Sequence, residues 1–100
     1  MSKFTDTLGL CRRAGKLITG FDPVLDSVKK GKAGAVIIAA DLSPKTEKEI
    51  RFALEGKNIP IYKTNDTLDE INFALGRRTG VITSEDENFT KLMCALCKSV

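Results

Sequence analysis

The chain has 100 residues, of which 42% are hydrophobic and 29% charged, as is typical of a soluble globular protein. This length suits one hydrophobic core, so we expect a single domain over residues 1–100. The chain has no histidine, which excludes Ser-His-Asp catalysis, Cys-His catalysis and His-ligated metal sites. The net charge is +3, but residues 1–40 hold seven basic and three acidic residues, so an anionic partner is expected to contact this part of the chain.

The first elements are a helix and a short strand. Three apolar residues at helical spacing predict the helix: Phe4, Leu8 and Cys11. Gly15 is expected to end it, because glycine is favoured just beyond helix C-termini. The run over residues 17–19 then predicts a short strand that ends at Gly20.

Along the chain, a second and a third helix are predicted before and after a strand with a continuous apolar sequence. Asp22 and Pro23 predict the N-cap and first residue of the second helix, which ends near residues 30–31. Residues 35–40 are all apolar, which is typical of a strand buried on both faces. Ser43 and the following proline predict the start of the third helix.

The last third of the chain continues the alternation. Residues 59–62 predict a strand, and Pro60 favours its start or a sheet edge. Thr67 predicts a capping box at the start of a helix that Gly76 ends. A strand over residues 81–83 precedes a final helix, whose apolar stripe is Phe89, Leu92, Met93 and Leu96. The alternation indicates an α/β fold with helices on both faces of the sheet.

Two segments are candidates for binding an anion. The turn after the first strand opens a helix, whose free N–H groups attract phosphate, and Arg12, Arg13 and Lys16 lie nearby in sequence. An acid at the predicted cap, Asp22, would occupy some of these groups and repel phosphate. The alternative is an ordinary strand-to-helix turn with solvated charges.

The second candidate is the glycine-flanked loop over residues 76–80. Arg77 and Arg78 there could make bidentate phosphate contacts or stack on bases, and the alternative is a solvated loop.

The remaining polar motifs favour structural roles. Cys94 and Cys97 form a CxxC pair without a second pair or a histidine, so we expect reduced thiols rather than a metal site. The acidic run over residues 85–87 precedes a helix, where carboxylates interact favourably with the helix dipole. No signal peptide or transmembrane segment is recognisable, and the cysteine content favours the cytoplasm.

Several segments together form a family pattern. The chain reads LGLCRRAGKL over residues 8–17, followed by Gly20, KGKA over 30–33 and VIIAAD over 36–41. These segments resemble the bacterial YlxQ-type proteins, which belong to the superfamily of archaeal and eukaryotic ribosomal proteins that bind kink-turn RNA. The similarity continues to Phe89 and covers nearly the whole chain.

The resemblance implies a three-layer α/β/α sandwich around a four-stranded mixed sheet. It also implies a non-enzymatic protein that binds structured RNA and associates with the ribosome or translation factors, with no cofactor, metal or small-molecule substrate. RNA is expected at the turn after the first strand, at residues 40–42 and at residues 76–80. The expected RNA-binding residues are Arg12, Arg13, Gly15, Lys16, Gly20, Phe21, Asp22, Arg77 and Arg78.

The chain departs from the family pattern after the first strand. RNA-binding members carry Gly-x-Asn-Glu-x-x-Lys there, or a version with Lys-Gln. The resemblance implies that this pattern reads sheared G·A base pairs and binds phosphate. This chain keeps Gly20 but has Asp22, Pro23 and Asp26 at the other three positions. Two interpretations stay open: RNA recognition through other basic residues, or a protein-interaction module on the same fold.

Overall fold

Helices and strands alternate along residues 2–100, which are the residues that the computed structural model describes. The helices are α1 (Lys3–Arg13), α2 (Phe21–Lys29), α3 (Pro44–Ala53), α4 (Leu68–Leu75) and α5 (Glu87–Ala95). The strands are β1 (Leu17–Thr19), β2 (Val36–Ile38), β3 (Ile61–Lys63), β4 (Val81–Ser84) and β5 (Lys98–Ser99). None of the helices in this part of the chain has the length and hydropathy needed to cross a bilayer.

The sheet is mixed, as expected, but it has five strands rather than four. Their order is β1-β4-β2-β3-β5, with β2 and β3 parallel and the other neighbours antiparallel. The additional strand is β5, which places Ser99 opposite Tyr62 on β3. A two-residue, solvent-exposed strand carries no apolar alternation, so its sequence does not reveal it.

Helices cover both faces of the sheet, which confirms the three-layer sandwich. Val36 and Ile38 belong to an apolar cluster with α2 and α3, whereas Ile37 belongs to a cluster with α1, α4 and α5. Successive strand residues point to opposite faces, so a strand between two helical layers must be apolar throughout. Each of these three side chains is at most 1% exposed.

Most helix ends have the local structure that the sequence predicts. The Ser43 side chain accepts a hydrogen bond at the start of α3, and Asp86 does so at the start of α5. Thr67 and Glu70 form a complete capping box on α4, which ends at Gly76 with a φ of 71°. The acidic run before α5 therefore has the structural role that was expected of it.

The start of α2 differs from the prediction. Asp22 is not the N-cap: that position is Gly20, which has a φ of 100° that favours glycine. Pro23 is consequently the third residue of the helix and not the first. Proline is tolerated there because the first backbone N–H groups of a helix have no intrahelical acceptor.

The apolar stripe of α5 is only partly buried. Met93 is fully buried, but Leu92 is 57% exposed, and Leu96 lies beyond the end of the helix. Within its layer, α1 packs against both α4 and α5, which leaves α5 at the margin. Helical spacing predicts which residues share a face, but the width of the buried face depends on the neighbouring helices.

The methyl groups of two leucine side chains pack closely against Gly80 and would have to shift to admit a side chain. A Cβ atom there would lie 2.6 Å from Leu42 Cδ1 and 2.7 Å from Leu68 Cδ2. We expect Gly80→Ala to lower the free energy of unfolding by about 1–3 kcal/mol, because added volume strains a close-packed site. Urea denaturation followed by circular dichroism measures this.

The control is Gly9→Ala in α1, where a Cβ atom would meet nothing within 4 Å. Alanine is the better helix former, so this variant should gain about 0.5–1 kcal/mol. Equal stability of the two variants would contradict the packing role of Gly80.

Candidate nucleic-acid interface

Three connections meet at one end of the sheet: those from β1 to α2, from β2 to α3 and from α4 to β4. The strand registers place the ends of β1 and β2 beside the start of β4. The Gly20 N–H donates to the Val81 carbonyl at 2.9 Å, and the Ala39 N–H donates to the Gly80 carbonyl at 3.0 Å. The three segments that were expected to contact RNA are therefore neighbours in space.

The loop after β2 is fixed to the start of α4. The Ala40 N–H donates to the Asp66 carbonyl at 2.9 Å, and the Asp41 carboxylate accepts from the Leu68 N–H at 2.7 Å. Ala40 thereby lies outside the strand ladder, and β2 covers residues 36–38 of the run predicted over residues 35–40. Asp41 supplies an acceptor to the first turn of α4, a structural role that its position in the sequence did not reveal.

The turn from β1 to α2 presents a helix N-terminus at this end of the sheet. No side chain caps the helix, so Asp22 does not take up the first N–H groups as the sequence suggested. Asp22 is exposed within the first turn, and Phe21 beside it is half-buried. The N-terminal partial charge of α2 favours an anion there, whereas the Asp22 carboxylate opposes one.

Both arginines of the loop before β4 contact the rest of the fold. Arg77 Nη1 donates to Thr19 Oγ1 on β1 at 3.1 Å. Arg78 forms an ion pair with Asp69 on α4, and more than half of its side chain is exposed. Both guanidinium groups stay at the surface, where each arginine makes one exposed side-chain contact.

Two of the other four predicted residues, Gly15 and Lys16, lie at the opposite end of β1. Gly15 ends α1 with a φ of 72°, and Lys16 follows it directly before the strand. The strand rise places Lys16 about 13 Å from Gly20. Arg12 donates to the Leu75 carbonyl at the end of α4, while the neighbouring Arg13 is exposed. Arg12 therefore lies next to the loop over residues 76–80, whereas Gly15 and Lys16 lie at the other end of β1.

A shallow groove runs between α2 and the edge strand β1. Its lining residues are Leu17, Ile18, Thr19, Pro23, Asp26, Ser27, Arg77 and Glu85. Asp26 pairs with Lys30 at 2.9 Å, and this hydrogen bond raises the pKa of the Lys30 ammonium. The Ser27 hydroxyl donates to Glu85 at 2.7 Å. The groove therefore combines the positive charge of Arg77 with two carboxylates, which reduces its attraction for phosphate.

The CxxC cysteines are half-buried against the α1–α4–α5 layer. Burial raises the pKa of Cys94 to about 11 and that of Cys97 to about 12. The Cys97 thiol donates to the Met93 carbonyl at 3.2 Å. Both thiols are protonated near neutral pH, and the described residues contain no cluster of three or more acidic or cysteine side chains that could hold a metal ion.

Comparisons with known proteins agree with this fold. The sequence model of the ribosomal protein L7Ae/L30e/S12e/Gadd45 family matches residues 2–93. The RNA-binding protein YlxQ of Enterococcus faecium is 30% identical over 89% of this chain and 85% of its own length. The large ribosomal subunit protein eL30 of Aeropyrum pernix is 30% identical over 69% of each chain.

Two solved structures have the same architecture. A Bacillus halodurans protein of unknown function superposes with a TM-score of 0.83 and 28% identity, covering 96% of this chain and 97% of that one. The Giardia lamblia 15.5 kD RNA-binding protein superposes with a TM-score of 0.70 at 22% identity, covering 91% and 78% of the two chains. The second match shows the shared fold alone.

The raised thiol pKa values predict a loss of stability at alkaline pH. In the unfolded chain the thiols of Cys94 and Cys97 return to a pKa near 9.0, so above pH 9 they ionise more readily when unfolded. The free energy of unfolding should therefore fall as the pH rises from 9 to 11. Urea denaturation over this range measures the slope, which should be shallower in a Cys94→Ala/Cys97→Ala variant. An identical slope in both proteins would contradict the prediction.

Proposed function

Because the chain belongs to the ribosomal protein L7Ae/L30e/S12e/Gadd45 family and is a YlxQ-like bacterial member of it, we propose that it is an RNA-binding protein of the translation machinery. It binds structured RNA of the ribosome or of an associated assembly, in the cytoplasm and without catalysis. Two relatives support this proposal by their names: one is an RNA-binding protein and the other a ribosomal protein.

The observation that carries the proposal is the convergence of three loops at one end of the sheet. Arg77 and Arg78 lie on one of these loops, and the uncapped N-terminus of α2 lies on another. A guanidinium has five N–H donors, so the contact of Arg77 with Thr19 leaves other donors for phosphate. Arg13 and Lys16 extend the basic surface toward the other end of β1.

Backbone charge and RNA shape are the main determinants of binding in this proposal. The side chain of Pro23 makes no hydrogen bonds, and Asp26 places a carboxylate in the groove with Arg77. Base-specific contacts of the kink-turn kind are therefore weakened at both positions. By analogy with DNA readout, the loss of each such contact costs roughly 1–3 kcal/mol of binding free energy. The chain is expected to bind kink-turn RNA less selectively than relatives that keep the full pattern.

A protein-interaction module is the second candidate. The observation that favours it is an apolar groove between α2 and α3, which Phe21 lines together with Leu25 and Phe52. Phosphate contacts do not need such a surface. Absence of RNA binding at low salt would favour this function, because phosphate contacts are strongest there.

The RNA-binding proposal predicts a salt-dependent affinity that relies on Lys16. Lys16→Glu should weaken binding to a kink-turn RNA duplex about tenfold, because it removes a phosphate contact. It should also reduce the slope of log affinity against log salt by about 1. Fluorescence anisotropy at several salt concentrations measures both quantities.

The matched control is Lys98→Glu on β5, an exposed lysine at the opposite edge of the sheet from β1. It makes the same charge change outside the proposed site and should alter affinity much less. Equal losses in the two variants would refute the assignment of the site to the β1 side.

The carboxylate of Asp26 predicts a gain of affinity on charge reversal. Asp26→Lys should strengthen binding of the same duplex roughly tenfold at low salt, because it removes the carboxylate that pairs with Lys30 and adds a positive charge to the groove. Glu55→Lys, an equal charge change on an exposed residue beyond the end of α3, serves as the control. No gain over this control would show that RNA does not approach the groove between α2 and β1.

A further inference from the structure

Two neighbouring hollows follow the crevice between α1 and α4. One has a volume of about 380 Å³ and lies beside Gly9 and Ala74. The other has a volume of about 170 Å³ and is bordered by Ser2 and Phe73. Thr5 lines both hollows, so they form one continuous surface feature, which we call the α1–α4 groove.

The two helices run in the same direction along this groove. At one end the Ser2 hydroxyl donates to the carboxylate of Asp66, which lies just before α4, at 3.0 Å. At the other end Arg12 donates to the Leu75 carbonyl at the end of α4. The N-termini of α1 and α4 therefore lie together, and so do their C-termini.

The charges that line the groove are separated by sign along its length. Three acidic side chains lie at the end with the helix N-termini and two basic ones at the other end: Asp6, Asp66 and Glu70, against Arg12 and Arg13. Within residues 2–100 none of these five forms an ion pair. Lys3 is in the first turn of α1 but lines neither hollow. Asp69 is paired with Arg78, and Arg77 follows the C-terminus of α4, so it adds to the basic end.

An apolar stretch separates the two charged ends. Leu10 is 53% exposed and Phe73 is 79% exposed, so the fold covers neither side chain. Gly9 has no atom within 4 Å of the position that a Cβ would take, which lets another helix approach α1 closely there. Asp6 and Arg13 have the spacing i, i+7, about 10 Å along one side of α1, and Gly9 lies near the middle of this interval.

We infer that the α1–α4 groove is the contact surface of a symmetric dimer, in which two copies of this chain pack face to face with their α1 helices antiparallel. A two-fold axis that crosses α1 near Gly9 places Asp6 of each copy opposite Arg13 of the other. The same axis passes near Ala74, which lines the groove beside Gly9, so the apolar stretches of the two copies meet. The inference goes beyond the proposed RNA binding and does not depend on it.

Charge complementarity identifies the second copy as the occupant. A two-fold contact uses the same patch on both subunits, so the patch must complement itself. A groove of one sign would repel a second copy, whereas a groove that is acidic at one end and basic at the other attracts a copy turned by 180°. RNA would meet the carboxylates of the acidic end, which repel phosphate. Because α1 is only about 16 Å long, the contact is small, and we expect a weak, concentration-dependent dimer.

The first experiment exchanges charges between copies and follows association by analytical ultracentrifugation without RNA, from about 10 μM to about 1 mM protein. Asp6→Arg brings arginines together at the paired positions, and Arg13→Asp brings aspartates together. Each variant alone should therefore dimerise at least about tenfold more weakly than the unmodified protein. An equimolar mixture of the two should restore dimerisation, because every pair again joins opposite charges. Formation of the mixed dimer also shows that both variants are folded.

The matched control exchanges charges on a helix of the other layer. Asp22→Arg and Lys29→Asp have the same seven-residue spacing in α2, and neither variant nor their mixture should change dimerisation. Unmodified protein that stays monomeric at about 1 mM would overturn the inference. So would a mixture of Asp6→Arg with Arg13→Asp that associates no better than either variant alone. Neither result bears on RNA binding, which the salt titration of Lys16→Glu tests separately.

The second experiment removes one exposed aromatic ring from each layer. Phe73→Ala should weaken dimerisation about tenfold, because it truncates an aromatic side chain in the apolar part of the contact. Phe52 is 77% exposed on α3, and Phe52→Ala should leave dimerisation unchanged. A loss confined to Phe52→Ala would show that the copies associate through the groove between α2 and α3, and would reject the α1–α4 groove as the contact. Equal losses in the two variants would reject it as well.

Discussion

The close packing around Gly80 is the constraint on which the arrangement of the loops depends. Leu42 from the loop after β2 and Leu68 from the first turn of α4 occupy the space that a side chain at Gly80 would need. The carbonyl of Gly80 also accepts the Ala39 N–H, which continues the pairing of β4 with β2. Leu42 packs against the apolar clusters on both faces of the sheet. One glycine thus permits the contacts that join the two helical layers at the end where the loops meet.

The loop that leads to Gly80 carries two exposed arginines. Arg77 donates to Thr19 and Arg78 pairs with Asp69, and both contacts lie at the surface. Exposed contacts of this kind stabilise a fold by about 0–1 kcal/mol each. Each contact also occupies N–H donors of its guanidinium, so each arginine offers fewer free N–H groups to a ligand.

The sequence predicts those features whose stabilising contacts are local. The capping box that begins at Thr67 forms within four residues, so the local sequence pattern is sufficient to predict it. The strand β5 exists because of pairing with β3, and the conformation of Gly20 depends on the meeting of β1, β4 and α2, so neither has a local signature. For the site, charge counting and the family resemblance predict the segments. They could not identify the contact of Arg77 with Thr19, because 58 residues separate the two side chains. The RNA contacts of the individual residues stay predictions.

The two flanks of α2 differ in chemistry. On the flank toward β1, Pro23 contributes a ring without hydrogen-bonding groups, and Asp26 contributes a carboxylate that pairs with Lys30. On the flank toward α3, Phe21 and Leu25 open onto a surface that includes Phe52 and an unpaired lysine. The first flank therefore combines charges of both signs, whereas the second is mainly apolar. Phosphate responds to the charges of the first flank, and the apolar side chains of the second contribute no such attraction.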